Sequence, residues 1–176
     1  MKDTDILIPA WEEGELRALP KLDVHRRGLR HLAVSVFAMH RGETLLQRRA
    51  LSKYHSGGLW SNACCTHPAW NEDAEHCARR RMREELNIEV VGLQRLGSVR
   101  YRADVGSGLT EDEEVAMFAV ELPRRALPAP NPDEVAEVRW TGWDALEREI
   151  AQDPARFTPW LSIYLSRHRE MVVGVT

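Results

Sequence analysis

The chain has 176 residues, 43% hydrophobic and 29% charged, enough for one domain with a real core. A net charge of −3 argues against a nucleic-acid binder, which would carry a basic surface, and no apolar run is long enough to cross a bilayer. The acidic N-terminus lacks an apolar signal core. Three cysteines, Cys64 and Cys65 adjacent and Cys77 apart, make a poor disulfide framework, so we expect a reduced, cytoplasmic protein.

In chain order, residues 6–10 and 15–19 read as short strands around a Glu12-Glu13-Gly14 turn. Residues 21–30 are polar, hold His25, and break at Gly28. Residues 31–39 form a mostly apolar, central strand, turned at 40–42 into a strand over 44–48. A polar loop over 49–58 ends in Gly57-Gly58 and returns as one strand over 59–66. The spacing of Ala74, Cys77, Ala78 and Met82 predicts a helix over 72–86, capped by Asn71 or Asp73. Residues 88–93, 97–103 and 114–122 read as further strands. A proline-rich connection over 123–132 leads to a strand at 137–140, a helix at 144–152 and a last helix from Pro159 carrying Trp160, Ile163, Tyr164 and His168. No linker or internal repeat divides the chain, so 1–176 is expected to be a single domain.

Two local features point to chemistry. The stretch Asn-Ala-Cys-Cys-Thr-His-Pro at 62–68 puts the thiol of Cys65 two residues before the imidazole of His67. In a strand both face one side, with Cys64 on the other. Taken alone, the same residues also suit a buried core. The second feature is lysine use: of 24 basic residues only Lys2, Lys21 and Lys53 are lysines. A lysine is a compact point charge suited to a phosphate.

The helix region carries more. Glu72, Arg80, Met82, Glu84, Glu85 and Ile88 follow the spacing of the Nudix box, but Thr66 and Asn87 stand where the box has glycines and Arg81 where it has its first metal-binding glutamate. Those departures, with the 62–68 motif, Arg-Arg-Ala-Leu-Ser-Lys at 48–53, Gly-Leu-Trp-Ser-Asn at 58–62, Tyr-Arg-Ala at 101–103, Glu-Asp-Glu at 111–113 and Phe-Thr-Pro-Trp at 157–160, are similar to the type 1 isopentenyl-diphosphate delta-isomerases of the Nudix superfamily. The resemblance runs from residue 21 to 160.

It implies a Nudix-like α/β sandwich, a mixed sheet flanked by helices, with a short N-terminal extension. It implies interconversion of isopentenyl and dimethylallyl diphosphate. His25, His31, His67, Glu111 and Glu113 match the ligands of a divalent metal, Mn, Mg or Zn. Cys65 and Glu113 match the acid–base pair, with Tyr101 hydrogen-bonding the glutamate and Trp160 turning its π-face to a carbocation. Lys21, Arg49, Lys53 and Arg81 match the diphosphate contacts, and Glu85, with the carbonyl of Cys65, matches the site of a second ion, Mg²⁺, bound with the substrate. Imidazoles must be neutral to bind a cation, and free histidine titrates near pH ~6.5, so acid should release the metal. The partner is a small isoprenyl diphosphate, not a nucleic acid or a membrane. A Nudix diphosphohydrolase would need the glutamate replaced by Arg81, and a structural zinc module would need paired cysteine spacing that Cys64-Cys65 does not supply.

Overall fold

A computed structural model describes residues 6–123 and 129–174. β1 (Leu7–Glu12) and β2 (Glu15–Pro20) form a hairpin, followed at once by α1 (Lys21–Arg27), β3 (Arg30–His40) and β4 (Glu43–Arg49). After a ten-residue loop come β5 (Trp60–Asn62), β6 (Cys64–Thr66) and α2 (Ala74–Leu86). The chain continues as β7 (Gln94–Asp104), β8 (Thr110–Glu121), β9 (Val135–Gly142), α3 (Trp143–Gln152), α4 (Pro159–Arg167) and α5 (Arg169–Val173).

The nine described strands form one mixed sheet. β3 is its hub: it runs parallel to β8 over ten residue pairs and antiparallel to β1, β4 and β6. β7 pairs with the far side of β8, and β4 carries β5 and β9. Side chains alternate across a strand, and here both faces are covered. Ala33, Phe37 and Met39 of β3 join Val115 and Met117 of β8 under Leu161, Tyr164 and Leu165 of α4. Val34, Val36 and Ala38 join Ala116 and Phe118 against Cys77, Ala78, Met82 and Leu86 of α2. Burial on both faces is why β3 reads as an unbroken apolar run.

α2 begins where its cap predicts. The Asp73 carboxylate accepts hydrogen bonds from the backbone N–H groups of Glu75 (2.9 Å) and His76 (3.2 Å). It ends at Asn87, which adopts the left-handed conformation (φ 54°) and closes the helix as a glycine would. Glu72 ties the preceding loop to this helix: it takes the Ala69 N–H (2.8 Å) and a two-pronged bond from Arg80 (2.7 and 2.8 Å).

The structure differs from the sequence expectations in four places. Residues 21–27 are helical, because Lys21, Val24 and His25 bury one face at i, i+3 and i+4. Gly28 caps that helix in the left-handed region (φ 59°), donating to the His25 carbonyl. The single strand expected at 59–66 breaks at Ala63: β5 pairs with β4 and β6 with β3, and the Asn62 amide donates across the break to the Val36 and Cys64 carbonyls (2.9 Å each). Residues 88–93 form no strand. Ile88 and Val90 bury against α2, and the Val90 carbonyl is taken by the Arg79 guanidinium instead of a neighbouring strand. The strand expected at 114–122 starts earlier, at Thr110, so that the acidic run is itself part of β8. Half of the proline-rich connection, residues 124–128, lies outside the described residues, as does the N-terminal 1–5.

Replacing the α2 cap is a local test of this account. Asp73→Ala should lower stability by about 1 kcal/mol, read as a reduced urea midpoint at unchanged m-value, with the buried site intact. An unchanged midpoint would mean that the two N–H groups are satisfied without Asp73.

Candidate functional site

Sheet register assembles the site. His31 of β3 stands opposite Glu113 of β8, which stands opposite Tyr101 of β7. Directly paired residues share a face, and Glu111, two positions before Glu113, lies on that face too. On the other side of β3, β6 sets Cys65 opposite Ser35, with His67 just beyond the strand end. α1 then lays His25 over the group.

Three imidazoles meet there. The centroids of His25, His31 and His67 are 4.7–5.0 Å apart. His25 Nδ1 donates to the Lys21 carbonyl one turn back (2.6 Å) and His31 Nδ1 to the Leu29 carbonyl (2.7 Å). Each ring is thereby held with the Nε2 lone pair facing inward. Those two Nε2 atoms, and His67 Nδ1, are buried with no hydrogen-bond partner among the described residues. Glu113 Oε1 lies 3.0 Å from His67 Nε2 and 3.5 Å from His31 Nε2. The ligand atoms of His25, His31, His67 and Glu113 all fall within 4.8 Å of one another. Unpartnered buried imidazole acceptors around a carboxylate fit a divalent cation, which would relieve the desolvation of the whole group.

The carboxylates share one phenol. The Tyr101 hydroxyl is 2.8 Å from Glu111 Oε2 and 2.7 Å from Glu113 Oε2. One O–H has one hydrogen for two acceptors, so in the metal-free protein one carboxyl must carry a proton. That carboxyl is Glu111: burial and the nearby charge of Glu113 push its pKa well up. Burial acts on Glu113 in the same direction, but the adjoining His31 and His67 imidazoles, His67 by a hydrogen bond from Nε2 (3.0 Å), outweigh it and hold Glu113 ionised. Burial, Glu113 and Glu111 likewise raise Cys65, which stands as a protonated thiol 3.9 Å from the Tyr164 hydroxyl.

The cationic end lies beside this pair. Lys21 sits over the Tyr54 ring (5.4 Å) and the Arg49 guanidinium over Trp160 (5.3 Å). The buried Arg49 Nε has no hydrogen-bond partner among the described residues, a donor suited to an incoming anion. Lys53 Nζ (2.8 Å) and Arg81 Nη2 (3.1 Å) both contact Glu134 Oε2. Arg81 also pairs with Glu85 (2.8 Å), whose other oxygen accepts from Gln47 (2.9 Å). Cys64, expected as a plain core residue, turns its thiol to Glu85 on the α2 side (3.5 Å). Trp160 anchors its indole N–H on Ser61 (2.8 Å).

The chain matches the NUDIX domain family over residues 29–161. It is 53% identical over 166 residues to an isopentenyl-diphosphate Delta-isomerase of Rhodobacter capsulatus, covering 94% of each chain. It is 53% identical to the one of Dinoroseobacter shibae over 174 residues, 99% of this chain and 97% of the relative. The chain belongs to the isopentenyl-diphosphate Delta-isomerase family. Among solved structures, a Deinococcus radiodurans protein shares the fold with a TM-score of 0.72 and 20% identity, covering 92% of this chain and 97% of the other. A MutT protein from Methanosarcina mazei does so with a TM-score of 0.63 and 19% identity, covering 80% and 94%. The α/β Nudix sandwich, with its mixed sheet and flanking helices, is therefore the scaffold of this family member.

On that scaffold Lys21, Arg49, Lys53, Cys65, His67, Arg81, Glu85, Glu111, Glu113 and Trp160 line one pocket. Tyr101, His25 and His31 back it through the contacts above. Sequence reasoning missed His55, Gln47, Glu134 and Tyr164. Tyr164 had a usable signal, since it follows Trp160 by four residues and so shares its helix face. The other three come from loops and strands whose approach to the pocket has no local signature.

Burial changes the expected pH response. His25 is pushed down from about 6.5 to about 4, by burial first and by His31 second, and burial also holds His67 well below its usual value. These rings stay in the metal-binding form to lower pH than free histidine would. The unfolded chain binds a proton at His25 below pH ~6.5 that the folded, metal-free protein refuses until about 4. The His25 contribution to stability of the metal-free protein is thus full above ~6.5 and lost as pH falls from there to about 4, by on the order of 3 kcal/mol. Urea unfolding with chelator between pH 7.5 and 4.5 measures it; a flat profile across that range would contradict the burial argument.

Proposed function

We propose that this chain interconverts isopentenyl and dimethylallyl diphosphate with the residues gathered in the single pocket. The observation that carries this reading is the pairing of a thiol, Cys65, with an ionised carboxylate, Glu113, in one buried pocket whose rim is cationic. The names of the relatives support it. The reaction adds a proton to the terminal alkene carbon and removes one from the carbon next to the diphosphate-bearing carbon. An alkene is a very weak base, so the acid must be positioned and kept from water.

Cys65 Sγ and the Glu113 carboxylate flank the five-carbon chain. Because the reaction runs both ways, each acts as acid in one direction and base in the other. Tyr101, bonded to Glu113 and Glu111, passes a proton along its hydroxyl and keeps the two carboxyls aligned. Trp160 offers its π-face to the tertiary cation; such attraction reaches ~2 kcal/mol in a dry site. Lys21, Arg49, Lys53 and Arg81 hold the diphosphate by charge and hydrogen bonds. His25, His31, His67, Glu111 and Glu113 would hold a divalent ion, Mn, Mg or Zn, which supplies positive charge that lets both carboxylates ionise. Glu85 and the Cys65 carbonyl would hold Mg²⁺ entering with the diphosphate.

We place the activity in a single domain spanning the chain. Cys64, Cys65 and Cys77 are free thiols, which suits the reducing cytoplasm. No helix of the described residues is long and apolar enough to cross a membrane, and the substrate is a small diphosphate.

The direct test is incubation with isopentenyl diphosphate and Mg²⁺ in deuterated water, with deuterated dimethylallyl diphosphate as the expected product. Cys65→Ser should abolish turnover, because a hydroxyl is a far poorer acid and base than a thiol near neutral pH. Cys64→Ser, which keeps a donor toward Glu85, should leave most activity; equal loss in both variants would mean that the wrong sulfur has been chosen. Arg81→Glu should weaken inorganic pyrophosphate binding at least ~10-fold without creating a hydrolase, since it places another negative charge beside Glu85 and Glu134. Vigorous phosphate release by that variant would show the isomerase and hydrolase sites to be nearly interchangeable.

A further inference from the structure

Four histidines converge on this pocket, and the resemblance accounts for three. The fourth, His55, lies in the loop between β4 and β5 and is 6% exposed. Its ring stacks on His25 (5.5 Å, 27°) and is held edge-on by Tyr54 (4.4 Å) and Trp160 (6.0 Å). Its Nδ1 faces the Ser56 hydroxyl at 3.3 Å. That repeats the arrangement of His25 and His31, where Nδ1 is turned to an oxygen behind the ring and Nε2 is left for the cavity.

The Nε2 atom of His55 lies 3.6 Å from Glu111 Oε1; the other oxygen of Glu111 is hydrogen-bonded to the Tyr101 hydroxyl (2.8 Å). A separation of 3.6 Å is too long for an ordinary N–H···O hydrogen bond. It is close to the roughly 3.0–3.5 Å between two donors bound to one cation at ~2.1 Å. His31 Nε2 and Glu113 Oε1 show nearly the same spacing, 3.5 Å, within the first donor set. The ligand atoms of His25, His55 and Glu111 lie within 4.8 Å of one another and form a second set that shares His25 with the first. His25 has only its Nε2 lone pair to give, since Nδ1 is committed to the Lys21 carbonyl. It cannot serve two ions, so an ion bound by both sets must lie at that shared atom and draw the two sets together around it, since their ligand atoms do not all lie within 4.8 Å of one another.

We propose that His55 is a fourth imidazole ligand of the divalent-metal centre, joining through Nε2 beside Glu111 and His25. The proposal rests on the reading that the imidazole cluster holds a metal. It gives the centre four nitrogen and two carboxylate side chains, a donor set that favours Zn²⁺ or Co²⁺ over Mg²⁺. It also explains why Glu111 stands outside the tighter set with Glu113: its oxygen belongs with His55.

Cobalt(II) is the probe. In the intact protein loaded with one equivalent of Co²⁺, each bound imidazole contributes one exchangeable, paramagnetically shifted ring N–H proton resonance, and four are expected. Three would overturn the proposal, and failure of the protein to take up Co²⁺ at all would overturn the metal reading beneath it. His55→Ala should lose one resonance, change the visible cobalt spectrum and bind Co²⁺ more than ~10-fold more weakly in chelator competition. His55→Gln keeps a hydrogen-bond donor toward Glu111 but is a poor ligand, so it should resemble His55→Ala. Restoration of native affinity and spectrum by His55→Gln would make His55 a mere support for Glu111 and overturn ligation. Circular dichroism of the metal-free variants reports whether they fold, and the resonance count on the unaltered protein decides the question where they do not.

Discussion

Glu113 is an ionised carboxylate 1% exposed, in the middle of a sheet covered on both sides. Such a charge survives in the interior only when it is paired and hydrogen-bonded. Everything around it follows from that requirement. β3 must run parallel to β8 in the register that brings His31 alongside, β7 must bring Tyr101, and the end of β6 must bring His67. A one-residue slip of β8 would turn Glu113 to the α2 face and put Asp112 or Glu114 in its place. The β3–β8 pairing thus fixes fold and chemistry together.

The pocket divides its charges between two ends. At the inner end, burial keeps His25 and His67 neutral and leaves one carboxyl proton between Glu111 and Glu113, bridged by the Tyr101 hydroxyl. Bringing a divalent ion to that group would supply the missing positive charge and free the proton. At the outer end, Lys53 and Arg81 are both occupied by Glu134, and Arg81 also by Glu85. A diphosphate arriving there must compete with carboxylates already in place, so a divalent cation arriving with it would offset repulsion as well as the diphosphate's own charge.

The scaffold is shared with proteins of quite different sequence, and a fold by itself does not name a reaction. What distinguishes this chain is local. Arg81 stands on α2 at the position where a hydrolase has its first metal-binding glutamate, and the structure shows it locked in a salt-bridge network with Glu84, Glu85 and Glu134. The same helix, with the same caps and the same Glu72–Arg80 brace, therefore presents a cation rather than a metal-binding carboxylate to the pocket.

Periodicity sufficed for α2, β3 and the C-terminal helices, because their apolar faces repeat over enough residues to be read locally. Motif spacing was enough to group Cys65 with His67 and Glu111 with Glu113, which line one pocket, because two-residue spacing on an extended chain decides which side chains share a face. The sequence pattern misled at residues 88–93, where apolar alternation served packing against α2 instead of a strand, and at 21–27, where seven residues were too few to show a helical period. The site's remaining members were decided by tertiary structure alone. His55 reaches Glu111 across 56 positions, and Glu134 reaches Lys53 across 81, from loops whose composition carries no sign of either contact. Local chemistry could mark which residues were able to bind a metal or a phosphate; only the register of the sheet and the return of its loops could bring those residues to one place.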